Sequence, residues 1–268
     1  MINFRSLTTL TICLLATISS YANDNKILVV TENTDINVAL ADQPGSGEAT
    51  RFVKTLLDTA DLDYNIRTVP WRRGYQMAKT RANTLIYPLA RTKTREKDFH
   101  WVGKLIPVHY YLFRLKSRDD LKLNNLEQAK EHNIGVVNYH AHHEFLLREG
   151  MTRLQPVNNS DQNIKKLLLG RIDYFSMSDT GILPLCEHNN IDCEQLTPEI
   201  ELEGLAPGLF IAFSKQTDVE KIERLHRAYR SLVDDGTHSE NFARRRHMLK
   251  QFKNTYPEVE KRGGKKRR

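Results

Sequence analysis

Short apolar runs alternate with amphipathic segments in the first third of the chain, and this alternation restricts the fold. The runs at 26–30, 64–69 and 84–90 have the length and content of strands. Between them, 48–60 and 71–82 carry apolar residues at three- and four-residue spacing, which predicts helices. A strand–helix–strand–helix–strand order predicts a parallel sheet with helices on both faces.

A second set of strands and helices follows an extended, aromatic stretch at 99–115. Helices are predicted at 126–132, 142–149 and 160–169, with Ser160 as N-cap and Gly170 as left-handed stop of the last, and strands at 134–137, 154–157 and 172–176. A strand at 209–213 and amphipathic helices at 218–235 and 239–252 complete the pattern. We infer two α/β lobes joined by two crossings, near 114–119 and 202–208. Such lobes hold a ligand in the cleft between them and permit hinge closure.

The predicted organisation has five segments. They are a signal peptide at 1–22, the first part of lobe 1 at 23–115, lobe 2 at 116–203, the return to lobe 1 with its C-terminal helices at 204–255, and a basic disordered tail at 256–268. No internal repeat interrupts this order, so the second lobe is interpreted as an insertion into the first.

The first 22 residues have the pattern of a cleavable export signal. A positive start precedes an apolar stretch at 7–18, and residues 20–22 have the small-x-small pattern of a signal peptidase site. The apolar stretch has about 12 residues, whereas a bilayer span needs about 20. We therefore predict cleavage after Ala22 and a periplasmic location; an uncleaved anchor is the alternative.

The net charge of +7 lies outside the predicted fold. Six basic residues fall within 261–268, and Arg5 is the only charged residue of the signal, so residues 23–260 are neutral. A basic protein of this kind often binds nucleic acid, but a neutral body does not favour that partner. No nucleic-acid partner is expected, and the protein is expected to be monomeric.

Cys186 and Cys193 are the two cysteines left after cleavage at Ala22. In an oxidising compartment this close, even pair predicts a disulfide between the end of a helix and the next strand. Two buried free thiols are the alternative. Zinc ligation needs further partners at tighter spacing, and no metal or cofactor is expected.

Two arginines follow the predicted strand at 84–90, where α/β sheets place their ligands. Arg91 and Arg95 could each hold a carboxylate through two parallel hydrogen bonds, which lysine cannot do. Because Lys93 and Lys97 lie nearby, a solvated basic turn is the alternative interpretation.

The order of the motifs resembles the extracellular solute-binding proteins of family 3, which serve ABC importers of polar amino acids. The resemblance runs from about residue 26 to 250 and rests on ILVVTE, VPWRRGYQMA, ARTKTRE, FHWVG, HNIGVV and LLLGRIDYFSMSD. It implies a type 2 periplasmic-binding-protein-like fold: α/β, two lobes, two hinge crossings and a ligand cleft between the lobes.

The resemblance also implies where a ligand would be held. Aligning TKTR with the family's Thr-x-x-Arg turn makes Arg95 the carboxylate ligand and Arg91 an additional positive group. Pro88 and Ala90 replace the serine or threonine usual before this turn. A strict count from Gly170 places the family's acidic ammonium ligand at Ser178, with Asp179 next to it, and we choose Asp179. The alternative for Asp179 is a cap of the following helix.

Five other residues are candidates for the cleft. Glu32 follows the first strand and could receive a ligand ammonium or line the cleft mouth. Trp71 and Arg72 begin a helix and could face the cleft, although Trp71 could equally pack in the core. Tyr139 and His140 lie between a strand and a helix, where family members grip a carboxylate with backbone N–H groups. The histidines that follow suggest a metal only weakly, because the spacing is not that of a metal helix.

The sequence therefore predicts a periplasmic protein that captures a small amino-acid-like or carboxylate ligand for an ABC permease. The alternative is a stand-alone sensor that presents its ligand state to a membrane receptor. No nucleophile elbow, phosphate-binding loop or metalloprotease motif is present, so neither an enzyme nor catalytic residues are expected.

Overall fold

The structure is a computed structural model that describes residues 26–34, 47–206, 208–257 and 259. The predicted signal peptide with its cleavage site at Ala22, and all but the first part of the predicted tail at 256–268, lie outside the described residues. None of the described helices has the length and apolar content needed to cross a bilayer.

Five strands form the first sheet. They are β1 (Ile27–Thr31), β2 (Tyr64–Thr68), β3 (Thr84–Ala90), β4 (Phe99–Ile106) and, from the last quarter of the chain, β10 (Leu209–Ser214). Their order is β2–β1–β3–β10–β4; β1 is parallel to β2 and β3, and β10 is antiparallel to β3 and β4. The predicted parallel arrangement thus holds for the first three strands only.

Helices cover both faces of this sheet. The helices α1 (Glu48–Thr59) and α6 (Val219–Asp234) pack on one face, and α2 (Trp71–Thr80) packs on the other. Successive residues of a strand point to opposite faces, so Val29 joins the core under α1 while Val30 joins the core under α2. Burial on both faces explains why β1 and β3 appear in the sequence as continuous apolar runs.

The second sheet repeats the arrangement. Its strands are β5 (Tyr110–Leu115), β6 (Ile134–Val137), β7 (Leu154–Val157), β8 (Tyr174–Ser178) and β9 (Leu196–Glu201), in the order β7–β6–β8–β5–β9. Its helices are α3 (Ala141–Arg148), α4 (Ser160–Leu168) and α5 (Ile182–His188). Residues of α3 lie in one apolar core, and residues of α4 and α5 lie in another. The predicted α/β fold with two lobes is confirmed.

The first crossing differs from the one predicted near 114–119. The strand β5 pairs with β8 on one side and β9 on the other, so it belongs to the second sheet although residues up to 115 were assigned to lobe 1. The chain therefore crosses between Ile106 and Tyr110, through Pro107. The second crossing joins β9 to β10.

The C-terminal helices depart from prediction in a way that links the lobes. The single helix predicted at 239–252 is two helices, α7 (Thr237–Asn241) and α8 (Ala243–Thr255). Phe242 precedes α8 and lies in a first-lobe core, whereas Phe252 and Tyr256 lie in a second-lobe core. Helix α8 thus spans both lobes, and the start of the predicted tail is packed at Tyr256.

A buried ion pair lies near the start of α8. Nε of Arg245 on α8 donates to Glu48 at the start of α1 over 3.2 Å, and its Nη1 donates to the Thr180 carbonyl of the second lobe over 3.2 Å. Both charged side chains are almost fully buried. One guanidinium therefore touches both lobes.

The remaining differences from the predicted elements are local. Asn159, rather than Ser160, is the N-cap of α4, and its side chain accepts from the Gln162 N–H. Gly170 follows α4 with a positive φ of 64°, as predicted. The strand expected at 172–176 begins two residues later, at Tyr174. The segment predicted as a helix at 126–132 forms 3-10 turns over Leu126–Glu131.

The predicted disulfide between Cys186 and Cys193 is present and joins α5 to the turn before β9. The hydroxyl of Tyr256 donates to the Cys193 carbonyl over 2.8 Å, so the end of α8 is attached beside the disulfide.

Candidate ligand-binding cleft

Arg95 lies beyond the carboxyl end of β3, in the turn that leads to β4. The turn is closed by a hydrogen bond from the Arg95 N–H to the Thr92 carbonyl at 3.0 Å, and the Thr92 and Thr94 hydroxyls lie 2.9 Å apart. This turn directs the arginine towards the second lobe, at the sheet end where α/β proteins bind ligands.

The guanidinium of Arg95 is buried, and described residues bind only one of its three nitrogens. Its side chain is 2% exposed and lies over the rings of Trp71 and Tyr75, 5.6 and 5.0 Å from their centroids. Nη2 lies 3.0 Å from Oε1 of Glu144 and 3.4 Å from the Tyr139 carbonyl. Among the described residues, none accepts a hydrogen bond from Nε or Nη1. Buried donors are rarely left in this state, so the arrangement indicates a site for an acceptor from outside.

Three more contacts cross the cleft to the segment that follows β6. The indole Nε1 of Trp71 donates to the Tyr139 carbonyl at 2.8 Å, and the guanidinium of Arg72 lies 4.7 Å from the Tyr139 ring centroid. Oε2 of Glu32 lies 3.3 Å from Nε2 of His140. Five of the sequence-predicted residues therefore meet near Arg95: Glu32, Trp71, Arg72, Tyr139 and His140.

The backbone at Tyr139 presents its carbonyl to the first lobe. Tyr139 has a φ of +60°, a conformation that residues other than glycine adopt infrequently. Its N–H donates to Nδ1 of His143 at 3.2 Å, so this nitrogen carries no proton. Burial lowers the pKa of His143, which favours the neutral ring that this hydrogen bond needs.

Tyr110 and His142 form a neutral wall beside the charged residues. Their rings stack with centroids 5.7 Å apart. Burial raises the pKa of the Tyr110 hydroxyl, so the ring stays neutral. Burial holds the pKa of His142 well below its usual value, and its Nδ1 is hydrogen-bonded to the Ser176 hydroxyl.

The carboxylate of Asp179 is occupied by groups of the chain. It is 1% exposed, and Oδ2 accepts from the backbone N–H of His109 at 3.2 Å and lies 2.9 Å from Nδ1 of the same residue. Oδ1 accepts from the Thr180 N–H at 2.7 Å. The alternative role as a helix cap is wrong, because Gly181 is the N-cap of α5. Ser178 is half-buried at the end of β8.

The His109–Asp179 pair gives a pH-dependent contribution to stability. The hydrogen bond to Asp179 raises the pKa of His109, so the folded state favours the protonated ring. This contribution is complete below about pH 6.5 and is lost as the pH rises through the higher folded pKa. We expect His109→Gln to lower the urea midpoint below pH 6 and to match the parent protein at pH 9. The difference should stay below about 1 kcal/mol, since the histidine is half exposed. A difference that grows with pH would contradict the assignment.

Arg91 lies apart from this cluster. Its Nε and Nη2 donate to the carboxylate of Glu96 at 2.8 and 2.5 Å, and its guanidinium lies over the rings of Trp101 and Phe210 at 5.3 and 5.5 Å. All three partners belong to the first lobe. Of the two candidate arginines, Arg95 is therefore the one that lies between the lobes.

The sequence reasoning missed four residues of the cleft: Tyr75, His109, Tyr110 and Glu144. Tyr75 follows Trp71 by four residues and so shares its helix face, which was a usable signal. The other three are brought in by tertiary structure. Among the described residues, no group of three or more His, Cys, Asp or Glu is placed to hold a metal.

No protein-family model and no curated protein sequence matches this chain. Solved structures do match. A histidine kinase sensor domain with similarity to periplasmic binding proteins has a TM-score of 0.71 at 16% identity, covering 82% of this chain and 95% of that one. An ancestral arginine-binding protein bound to arginine has a TM-score of 0.68 at 16% identity, covering 82% and 97%. The arginine-, lysine-, histidine-binding protein ArtJ of Geobacillus stearothermophilus has a TM-score of 0.68 at 14% identity, covering 82% and 94%. At these identities the likeness establishes the two-lobed periplasmic-binding-protein fold.

Proposed function

We propose that this protein is a periplasmic solute-binding protein that holds a small carboxylate-bearing ligand, an amino acid or a related compound, between its lobes and delivers it to an ABC permease. The observation that carries the proposal is the guanidinium of Arg95, buried between the lobes with Nε and Nη1 unused by any described residue. An anionic group is the partner that such donors need.

The surroundings of Arg95 favour a ligand that also carries positive charge. Oε1 of Glu144 lies 3.0 Å from Nη2 of Arg95, and Oε2 of Glu32 lies 3.3 Å from Nε2 of His140, so a ligand carboxylate would meet carboxylates already present in the cleft. An amino acid supplies both signs. Its carboxylate would face Arg95, and its ammonium or a cationic side chain would face Glu32. The rings of Trp71 and Tyr75 would flank its apolar atoms.

Binding of this kind needs no bond chemistry. The ligand biases the lobes towards the closed arrangement by contacting both, and the partner recognises that arrangement. The export signal predicted at 1–22 supports a periplasmic location. The amino-acid ABC transporter proteins among the structural relatives support a permease as partner.

A ligand screen tests the proposal. The purified protein is heated with amino acids, polyamines and organic acids, one at a time. A true ligand at about 100 times its Kd should add roughly 2.7 kcal/mol of stability and raise the melting temperature by several degrees. If no compound in a broad panel shifts the melt, the proposal fails.

A sensor is the second candidate, favoured by the histidine kinase sensor domain with the same fold. Both functions use the same cleft, so the ligand screen does not separate them. A permease and ATPase encoded beside this gene would favour transport, whereas a receptor or cyclase would favour sensing.

A further inference from the structure

Glu144 holds a position in the cleft that ligand recognition alone does not explain. It lies in the first turn of α3 and is one-third exposed, and its Oε1 reaches across the cleft to Nη2 of Arg95 at 3.0 Å. The second lobe thus supplies its own carboxylate to the arginine that would hold the ligand's carboxylate.

The shape of a guanidinium gives this contact a consequence. A carboxylate that accepts two parallel hydrogen bonds uses either Nη1 with Nη2 or Nε with Nη2, because only these pairs share an edge. In Arg95 the donors without an acceptor in the described part of the chain are Nε and Nη1, which share no edge, and Nη2 is engaged by Glu144 and by the Tyr139 carbonyl. A ligand carboxylate can form the paired interaction only by taking Nη2 from the second lobe.

We propose that Glu144 is a specificity-determining residue that competes with the ligand carboxylate for Nη2 of Arg95. The proposal rests on the proposed function, since it concerns the same site. A compound that binds mainly through its carboxylate gains little binding free energy, because its carboxylate only replaces that of Glu144 at Arg95. A compound whose other groups contact Glu32 and the aromatic rings displaces Glu144 at a net gain. Glu144 therefore disfavours binding of simple carboxylates, and its contact with Arg95 holds the two lobes together.

The contacts around Glu144 keep it opposite Arg95. Trp71 and Arg72 bind Tyr139, and Glu32 lies against His140, so the segment that begins α3 is attached to the first lobe at three further points. Protein in which Glu144 occupies Nη2 of Arg95 cannot form the paired interaction with a ligand carboxylate. The apparent affinity of a ligand therefore falls as the fraction of protein in this arrangement rises.

Glu144→Gln tests the proposal, because it removes the charge and keeps the shape. Glu149→Gln, an exposed acid just beyond α3, is the matched control. The probes are L-arginine, L-glutamine and glutarate, each paired with its primary amide, measured by calorimetry. We expect Glu144→Gln to raise the ratio of carboxylate to amide affinity about tenfold, the scale of one charge-assisted hydrogen bond. The control should leave this ratio unchanged.

The second measurement is the radius of gyration without ligand, from small-angle X-ray scattering. It should be larger for Glu144→Gln than for the parent and the control. An unchanged or lower affinity ratio would overturn the proposal, because Glu144 would then not compete for Arg95. If no probe binds any variant, the proposed function fails with these ligands, and an unchanged radius of gyration overturns the competing role of Glu144 as well.

Discussion

Replacing Arg95 by methionine should abolish binding of a carboxylate ligand, with a loss of at least 100-fold in affinity, and leave the protein as stable as before. The loss follows because a buried guanidinium is the group placed to pair with the carboxylate, and charge-assisted paired hydrogen bonds contribute about 3 kcal/mol or more. The ligand is the compound identified in the melting-temperature screen. Its affinity for the variant, measured by calorimetry, checks the expected loss of binding.

The free energy of unfolding should be preserved because the described residues satisfy the hydrogen-bond donors of Arg95 only in part. Two of its nitrogens lack a described acceptor, and each such buried donor costs about 1–3 kcal/mol. Methionine removes that cost and still packs between Trp71 and Tyr75. The partner left behind, Glu144, is one-third exposed and can be hydrated. Urea denaturation should give an unfolding free energy equal to or above that of the parent.

Arg91→Met is the matched control, since it removes a second guanidinium from the same turn. Its partners are Glu96 and first-lobe rings, so ligand affinity should change less than twofold. Equal losses in both variants would show a general effect of positive charge. A retained affinity in Arg95→Met would mean that the carboxylate binds elsewhere.

Replacing Arg114 by methionine should destabilise the protein, unlike the change at Arg95. We expect a loss of about 3–5 kcal/mol in the free energy of unfolding. Arg114 on β5 is nearly as buried as Arg95, but its Nε and Nη1 both have acceptors. Nε donates to Glu199 on β9 at 2.7 Å, and Nη1 lies 2.9 Å from the Leu115 carbonyl and 3.1 Å from that of Arg118. The other oxygen of Glu199 accepts from the Leu123 N–H at 2.9 Å. Without Arg114 a nearly fully buried carboxylate loses its counter-ion.

Thermal denaturation would register this as a drop of roughly 10 °C for a protein of this size. Arg118→Met is the control: its exposed pair with Asp120 should contribute less than about 1 kcal/mol. The double variant Arg114→Met, Glu199→Leu should recover part of the loss, because the isolated charge is then absent. A single-variant loss below 1 kcal/mol would show that the pair does not stabilise the second lobe.

The contrast between these two arginines shows what the sequence could predict. The turn ARTKTRE placed Arg95 after a strand, and its resemblance to a known family gave it a ligand role. Nothing in the local sequence shows that Arg114, which lies in an aromatic strand, has acceptors for donors that stay without one in Arg95. Whether a buried guanidinium is satisfied depends on residues far away in sequence, such as Glu199 and Leu123, and therefore on tertiary structure.

The missed and shifted strands have equally physical causes. The strand β9 was missed because it contains Pro198, which lowers strand propensity. The strand still forms because β9 lies at the edge of its sheet, where the missing N–H of a proline is tolerated. The crossing was placed too late because 99–115 is one extended, apolar run. Pro107 marked the break, since β4 ends one residue before it. Helices α1, α2 and α6 were predicted well because each buries a face at regular spacing.

The path of α8 has a practical consequence for measuring this protein in solution. Ile27 begins a strand of the first lobe, and Tyr256 is attached beside the disulfide of the second. Fluorophores fused before Ile27 and after Tyr256 would therefore sit on different lobes. Their energy transfer would report the angle between the lobes directly, without an insertion into either one, and would turn the chain into an optical sensor for whatever compound it binds.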